Sequence, residues 1–511
     1  MAFLIDMAPN TNAGVKLEKA YKKRNSSFHN YIDNIKKNMK VDIYSLINVT
    51  LIKNPHNTSF PKKFFLREYN SISKIYLFIK STIKFYSKQS YYFITYLVGF
   101  FIYKVFHKRK KIDLNNFILI DIFCLIDNII VDNKFNENYF SNLYEVLDKC
   151  NKEYIFLPRL YGIQKNPFKL IKFFKIINQD KRNFLFEFEI LSCMDFLSIF
   201  FMLLKYPFKT LRLLQIEKSN DDRLFNNELI KDISNLSFDA FSRYIVGKNI
   251  SKTNISKVYS WSEFQVIERS FNYGVRSNND NIKLYGCQLY LNYNSYFNTS
   301  VDDIDFIQKT SYHDVLVNSK YYLLDRNLVH YKVGVSLRYK NVFLFNKIII
   351  PKNIVLIGTF FKETKYMLDF VENFDLILFK NHPIVDIKNF GQLNENIILV
   401  NDNIYKLFEN ASIIISTSSG TSVEAVACGV SVIIIASQDN LTANPLVDFG
   451  KGKIWDIAFS KDDVKILYNN LIDYRKNNAE EIKEIASWYK DNFFIEPTEE
   501  NIIKTFELNK G

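Results

Sequence analysis

Short apolar runs alternate with amphipathic stretches through the second half of the chain. The stretches between the runs, such as residues 362–371, have helical periodicity. Four runs have the length of a buried parallel strand: residues 353–358 (NIVLIG), 376–380 (LILFK), 413–415 (III) and 432–435 (VIII). Alternation of strand and helix predicts a doubly wound α/β domain in this half of the chain.

A similar rhythm begins earlier. Residues 117–125 (FILIDIFCL) have the pattern of a buried strand, with a helix predicted over 139–149 and a strand over 154–157. An amphipathic helix follows Trp261, and Gly274 is interpreted as its C-cap. The first half therefore predicts a second open α/β sheet, and the fold class expected is α/β, with two Rossmann-like domains facing a cleft.

The chain length of 511 residues favours two domains and an extension over a single core. The extension is basic, aromatic and helical, and its lysines, such as those of 36–40, are expected on solvated helix faces. The predicted division is an extension over 1–112, a first Rossmann-like domain that binds the acceptor over 113–345, a second that binds the donor over 346–495, and a C-terminal helix over 496–511.

Composition narrows the function classes. The net charge is +13, but the basic residues are dispersed and no recognition module is visible, so nucleic-acid binding is not expected. The five cysteines show no CxxC spacing and are expected to be buried thiols, not disulfides or metal ligands. No signal peptide is evident, so a cytoplasmic location is expected.

Two apolar stretches bear on membranes, and both are shorter than the roughly 20 residues of a spanning helix. Residues 91–106 are rich in aromatic side chains and precede a basic cluster at 107–111, a pattern that predicts peripheral binding to an anionic membrane, at the inner face of the cytoplasmic membrane. The alternative for this stretch is a buried helix with a solvated charged end. Residues 190–204 are expected in the core.

Polar clusters follow two strands of the second predicted sheet. The strand at 376–380 ends in Lys380-Asn381-His382-Pro383, and the strand at 413–415 is followed by a loop of small and hydroxyl residues. Carboxyl ends of parallel strands share one edge of a sheet, where backbone N–H groups suit a phosphate. The alternative is an ordinary turn with a serine N-cap. The residues predicted to bind a donor phosphate or nucleotide are Lys380, His382, Pro383, Ser418, Ser419, Gly420, Thr421 and Glu424, with Arg338 from the connection between the domains.

The first predicted domain supplies candidates for a general base and for acceptor contacts. Asp121 interrupts an apolar strand, while Glu263 and Glu268 lie near the start of the helix after Trp261. Each could instead be a solvated or capping carboxylate. The candidates for acceptor binding are Arg269, Arg276 and Gln288.

With these motifs in place, residues 115–500 resemble the two-domain GT-B glycosyltransferases, especially the bacterial surface-carbohydrate branch with an HP motif and a serine/threonine-rich motif. The resemblance implies that His382 and the serines hold the nucleotide of a nucleotide-sugar donor, with CMP favoured and Kdo or sialic acid as the sugar. It also implies a glycan or glycolipid acceptor of capsule or lipopolysaccharide type, inversion, His382 as a catalytic residue, and no bound metal or other cofactor. Two motifs of related enzymes are absent: the acidic D/E-D/E-G acceptor motif and the E-x₇-E pair.

Three further functions fit the same pattern. UDP-sugar 2-epimerases share the fold and have an S-G-G-x-x-E-E phrase that residues 418–424 echo, although Ala425 stands where the second acid is expected. A CDP-glycerol-type polymer transferase would differ in its donor alone. A catalytically silent assembly subunit would bind no nucleotide.

Overall fold

A computed structural model describes residues 12–53, 73–108, 116–161, 166–291, 300–345, 352–382, 385–417, 419–437, 442 and 444–508. Pro383, Ser418 and the basic residues 109–111 lie outside the described residues.

The first sheet has six parallel strands in the order β2-β1-β3-β4-β5-β6. Its strands are β1 Ile118–Leu125, β2 Tyr154–Tyr161, β3 Lys257–Trp261, β4 Lys283–Gln288, β5 Asp314–Val317 and β6 His330–Val333. Strand β1, next to the edge strand β2, pairs with β2 and β3, with Ile118 opposite both Tyr154 and Lys257. Its apolar run is almost wholly buried, as expected for a strand covered on both faces.

The second sheet also has six parallel strands, in the order β12-β11-β10-β7-β8-β9. Its strands are β7 Asn353–Ile357, β8 Ile377–Lys380, β9 Ile397–Leu399, β10 Ala411–Ser416, β11 Ser431–Ile435 and β12 Trp455–Ala458. This is the Rossmann strand order, in which the direction of winding reverses between β7 and β10. The two doubly wound sheets confirm the predicted GT-B-like fold class.

Helices cover both sheets. Their bounds are α1 Asn12–Asn38, α2 Ile43–Ile52, α3 Lys74–Phe106, α4 Ile126–Asp132, α5 Leu143–Lys149, α6 Pro167–Ile177, α7 Glu187–Ile190, α8 Cys193–Thr210, α9 Asn220–Asp232, α10 Asp239–Ile250, α11 Val266–Arg276, α12 Asp303–Ile307, α13 Lys340–Leu344, α14 Phe361–Phe370, α15 Ile404–Asn410, α16 Thr421–Ala427, α17 Lys461–Asn477, α18 Ala479–Phe493 and α19 Glu499–Thr505.

The N-terminal helices belong to the helical layer of the first sheet. Helix α2 packs against α9 and α11, and α3 packs against α6 and α9. The expectation of solvated lysines was wrong for Lys36, whose side chain is 1% exposed. Its ammonium lies 2.6 Å from Asp302 Oδ2 and 2.9 Å from Asp305 Oδ1, which compensates for the loss of water.

Gly274 is not a C-cap, because α11 continues to Arg276 and is capped by Ser277. Gly274 lies where α11 crosses α10, and a Cβ there would be 2.2 Å from the Tyr244 carbonyl oxygen. The glycine therefore permits close approach of two helices. In the sequence alone, a glycine with this packing role cannot be distinguished from a helix stop.

The end of the chain returns to the first domain. The Asn318 amide donates to the Phe493 carbonyl at 2.7 Å, and the Ser336 N–H donates to the Ile495 carbonyl at 2.9 Å. Helix α19 then runs beneath the first sheet, where Glu507 pairs with lysines at the amino ends of strands, including Lys257 and Lys283. The segment before α19 thus contacts the first domain through Asn318 and Ser336.

One expectation about burial was wrong and a second was correct only in part. Cys193 is exposed, although the other four cysteines are buried. The stretch 190–204 is core on one face only: Ile199 and Leu203 are buried, whereas α8 turns Met194 and Phe201 to the surface, 70% and 49% exposed. None of the described helices is long and apolar enough to cross a bilayer.

Candidate active site

The ends of β7 and β10 meet at the point where the winding of the second sheet reverses. The hydroxyl groups of Thr359, after β7, and Thr417, after β10, are 2.8 Å apart. Thr359 also donates to the Glu363 carboxylate in the first turn of α14, at 3.0 Å. Open α/β sheets bind their ligands outside such a switch point, so this polar cluster marks the expected position of a ligand.

The turn that carries His382 lies directly beside this cluster. The Gly358 N–H, at the end of β7, donates to the Lys380 carbonyl at 2.9 Å, which ties the two strand ends together. Asn381 fixes the following turn by donating its amide to the Val385 carbonyl at 2.7 Å. The Lys380 ammonium donates to the Asp402 carbonyl beyond β9 at 2.7 Å, on the side of His382 away from the switch point.

The His382 imidazole is half-buried, and burial lowers its pKa below 6.5. It is therefore neutral at pH 7 and offers one N–H donor, not a charge. β8 and β10 flank β7, so the strands that precede His382 and Ser419 are separated by two strand spacings, about 10 Å.

The hydroxyl loop after β10 touches the first domain. The Ser419 side chain accepts the Thr421 N–H at 3.3 Å. A Cβ on Gly420 would lie 3.3 Å from Leu291 Cβ, just beyond the end of β4. The loop therefore forms one wall of the cleft between the domains.

Glu424 lies in the first turn of α16 and accepts the Tyr405 hydroxyl at 2.5 Å. Burial raises the pKa of its carboxyl to about 6, although the Tyr405 hydrogen bond and the charge of Arg338 oppose the increase. Between pH 4.5 and 6, a carboxyl whose pKa rises on folding binds more protons in the folded state than in the unfolded state. Its contribution to stability therefore falls as the pH rises through that window.

Glu424→Gln is expected to remove this pH dependence, because the amide stays neutral and still accepts from Tyr405. The free energy of unfolding should shift in favour of the variant by about 1.5 kcal/mol as the pH rises from 4.5 to 7. Urea denaturation of both proteins across that range measures the difference. A constant difference at every pH would contradict the assignment of the raised pKa to Glu424.

Arg338 lies in the connection between the domains and is exposed. Its guanidinium is 5.4 Å from the centre of the Trp261 ring and 5.5 Å from that of Tyr139. The same charge acts on Glu424 across the cleft. Arg338 is therefore a cation at the boundary of the two domains, as expected from the sequence.

The three candidate bases lie in different environments. Asp121 is fully buried and pairs with Arg159 at 3.0 Å and with Arg243 at 2.8 Å. Glu268 is also fully buried, where burial raises its pKa while Arg159, 2.8 Å away, opposes the shift. Glu263 is only partly buried, directly after β3, and accepts the Gln265 amide at 2.6 Å. Of the three, Glu263 has surface for an acceptor.

The arginines proposed for acceptor contacts hold the first domain together. Arg269 is 3% exposed and pairs with Asp305 at 3.0 Å. Arg276 is 2% exposed, pairs with Asp280 at 2.8 Å and donates to backbone carbonyls. Gln288 is also buried, at the end of β4. This burial leaves the two arginines little surface with which to bind a glycan.

No group of three or more potential metal-ligating side chains occurs in the described part of the chain. Asp302 and Asp305 form a capping box at the start of α12, and Asp303 accepts the Leu328 N–H at 2.9 Å. Asp305 is buried, where it pairs with Lys36 and Arg269.

Sequence reasoning did not name Thr359, Thr417 or Tyr405 as binding residues, although Thr417 lies in the loop of hydroxyl residues that it singled out. The first two could have been found, because β7 and β10 are the first and fourth strands of their sheet and Rossmann winding brings those strands together. Tyr405 carries no local signal, since its contact with Glu424 joins two helices that flank β10.

Comparison with known proteins supports no assignment to a family. No protein-family model matches the sequence, and no curated protein matches it significantly. Among solved structures, UDP-GlcNAc 2-epimerase from Neisseria meningitidis bound to UDP-GlcNAc is 10% identical with a TM-score of 0.42, over 77% of this chain and 100% of that one. MurG from Acinetobacter baumannii is 11% identical with a TM-score of 0.40, over 76% and 99%. The calicheamicin glycosyltransferase CalG4 is 9% identical with a TM-score of 0.38, over 76% and 95%. Likeness at this level says nothing about substrate or reaction.

Proposed function

We propose that this protein is a metal-independent, inverting glycosyltransferase that transfers a sugar from a nucleotide-sugar donor to a glycan or glycolipid acceptor. The observation that carries the proposal is the contact between Thr359 and Thr417 at the switch point, with His382 beside it. Rossmann sheets bind nucleotides at this position. The first sheet supplies a facing surface with a partly exposed carboxylate, Glu263, for a second substrate.

Each residue has a distinct part in the proposed reaction. The acceptor oxygen attacks the anomeric carbon while the bond from that carbon to the donor phosphate breaks. Glu263 takes the proton of the acceptor hydroxyl. The neutral His382 N–H donates to the phosphate oxygen that gains charge, and Ser419 and Thr421 bind the phosphate before and during reaction. Arg338 adds a positive charge at the domain boundary.

A CMP-linked sugar of the Kdo or sialic acid type is proposed as donor, and a capsule or lipopolysaccharide precursor as acceptor. Support comes from the resemblance of the His382 and Ser419 motifs to those of enzymes that use such substrates. A nucleotide that binds only the folded protein raises its stability by about 2.7 kcal/mol at 100 times its Kd.

A thermal-shift panel of CMP, UDP, GDP and CDP tests the proposal. We expect CMP to give the largest increase in Tm, and Thr359→Val with Thr417→Val to remove it. A matched control is Thr498→Val, which changes the N-cap residue of α19 away from the cleft. No shift with any of the four nucleotides would contradict the proposal and favour a silent assembly subunit.

The same nucleotide panel distinguishes a glycosyltransferase from two related enzyme classes. CDP as the selective ligand would favour a glycerophosphate polymer transferase. An epimerase would convert a UDP-sugar without an acceptor, and the epimerase phrase has a second acid that this chain lacks. Ala425, at the position of the second acid, is fully buried.

A further inference from the structure

Helices α3 and α8 lie side by side and expose apolar side chains on a shared surface. The rings of Phe93 and Phe200 are 5.7 Å apart, and those of Phe78 and Phe208 are 5.9 Å apart. We call the surface the α3–α8 face; its main residues are Ile79, Ile83, Ile94, Phe101, Leu197 and Phe201. Contiguous apolar surface of this kind marks an interaction site.

The exposed residues of α3 form a stripe opposite its buried side. Ile83 and Phe101 are 62% and 63% exposed, while Phe85 and Tyr103 on the opposite side are fully buried. At 100° per residue, both exposed positions point in nearly the same direction along a helix about 50 Å long. Among the residues that the structure describes, those of the first domain cover only the side of α3 opposite this stripe, so the stripe is an apolar helix face available to a partner.

The charges beside this surface have one sign. Helix α3 contains five lysines and no carboxylate. Lys80 and Lys84 are exposed along the flank of the stripe, and Lys205 is exposed on α8. The acidic groups nearby are engaged: Asp195 caps α8, and Glu217 pairs with Lys74.

We propose that the α3–α8 face docks on the surface of an anionic lipid bilayer, with the apolar stripe among the acyl chains near the headgroups and the lysines on lipid phosphates. Interfacial helices combine these features, and long lysine side chains reach the headgroups from the edge of an apolar stripe. A second copy of this chain fits less well, because its lysine row would meet an identical row.

The surface is firmly attached to the first domain. On the buried side of α3, the Tyr96 hydroxyl donates to Glu187 at 2.6 Å and the Tyr103 hydroxyl donates to Glu189 at 2.8 Å. Glu187 in turn pairs with Arg243, a partner of Asp121 in β1. Docking therefore fixes the orientation of the first sheet relative to the bilayer.

Flotation of the full chain with phosphatidylcholine vesicles, with and without phosphatidylglycerol, tests the proposal independently of nucleotide binding. We expect flotation with phosphatidylglycerol, and at least tenfold weaker binding without it. Phe101→Asp with Phe201→Asp should weaken binding more than tenfold. Lys80→Glu with Lys84→Glu should weaken it by a similar factor.

The matched controls are Ile466→Asp, at a 56% exposed isoleucine on α17, and Lys476→Glu with Lys483→Glu. Both should float like the wild type. Wild-type protein that fails to float with phosphatidylglycerol, or variants of the α3–α8 face that float normally, would overturn the proposal. Concentration-dependent dimers that Phe101→Asp with Phe201→Asp disrupts, without flotation, would assign the face to a second copy.

Discussion

His382→Ala is expected to lower kcat by about 10²–10³ and to change the donor KM little. The reason is that the imidazole N–H gains most from the charge that develops on the phosphate as the sugar leaves, and only interactions that strengthen in the transition state raise the rate. Turnover is measured as release of free nucleotide from the nucleotide sugar that matches the most stabilising nucleotide in the panel.

Two further variants serve as a comparison and a control for His382→Ala. Ser419→Ala should raise the donor KM with a smaller change in kcat, because its hydroxyl binds phosphate in both ground and transition states. His330→Ala, at an exposed histidine at the amino end of β6, should behave as the wild type. A folded His382→Ala protein with wild-type turnover would show that the histidine only shapes its loop.

Glu263→Gln is expected to lower kcat by about 10²–10⁴ without loss of stability. The glutamine keeps the size of the side chain but cannot take the acceptor proton. Steady-state rates and thermal unfolding of the same samples separate the two effects. Normal turnover by Glu263→Gln would exclude it as the base.

The buried carboxylates provide the contrast. Glu268→Gln leaves the buried Arg159 guanidinium with one charged partner fewer, and loss of one member of a buried ion pair typically costs about 3–5 kcal/mol. We therefore expect Glu268→Gln to lower Tm strongly. If Glu268→Gln were inactive at full stability, while Glu263→Gln stayed active, the base would be Glu268.

Local pattern was sufficient for the strands with long apolar runs, whereas β3, β5, β6, β9 and β12 were not predicted. The apolar runs at 353–358 and 413–415 became β7 and β10, because a strand covered on both faces needs an unbroken apolar run. The alternation of strands and helices then determined the doubly wound class. Strand order was not predicted, since pairing depends on how distant segments meet.

Features that depend on tertiary contacts were misread. Gly274 resembles a helix stop, but its role is set by α10 on the other side of a crossing. In the sequence, Arg269 resembles a surface cation. In the structure its guanidinium lies 3.0 Å from the Asp305 carboxylate. Residues 190–204 were expected in the core. This expectation failed for one face of α8, because an apolar sequence does not show which of its faces the protein covers.

The candidate site was predictable on the donor side only. His382 and Ser419 follow strands, so they are expected at the carboxyl edge of the parallel sheet. The position of Thr359 at the site could be predicted only with the strand order as well. On the acceptor side, nothing in the sequence distinguishes the partly exposed Glu263 from the buried Glu268, five residues further on.

A structure of the full chain with its most stabilising nucleotide tests the central claim most directly. The account predicts a phosphate above the end of β7, within about 3 Å of the His382 imidazole nitrogen on one side and of the Ser419 hydroxyl on the other. A nucleotide phosphate bound elsewhere, for example at the carboxyl edge of the first sheet, would contradict it.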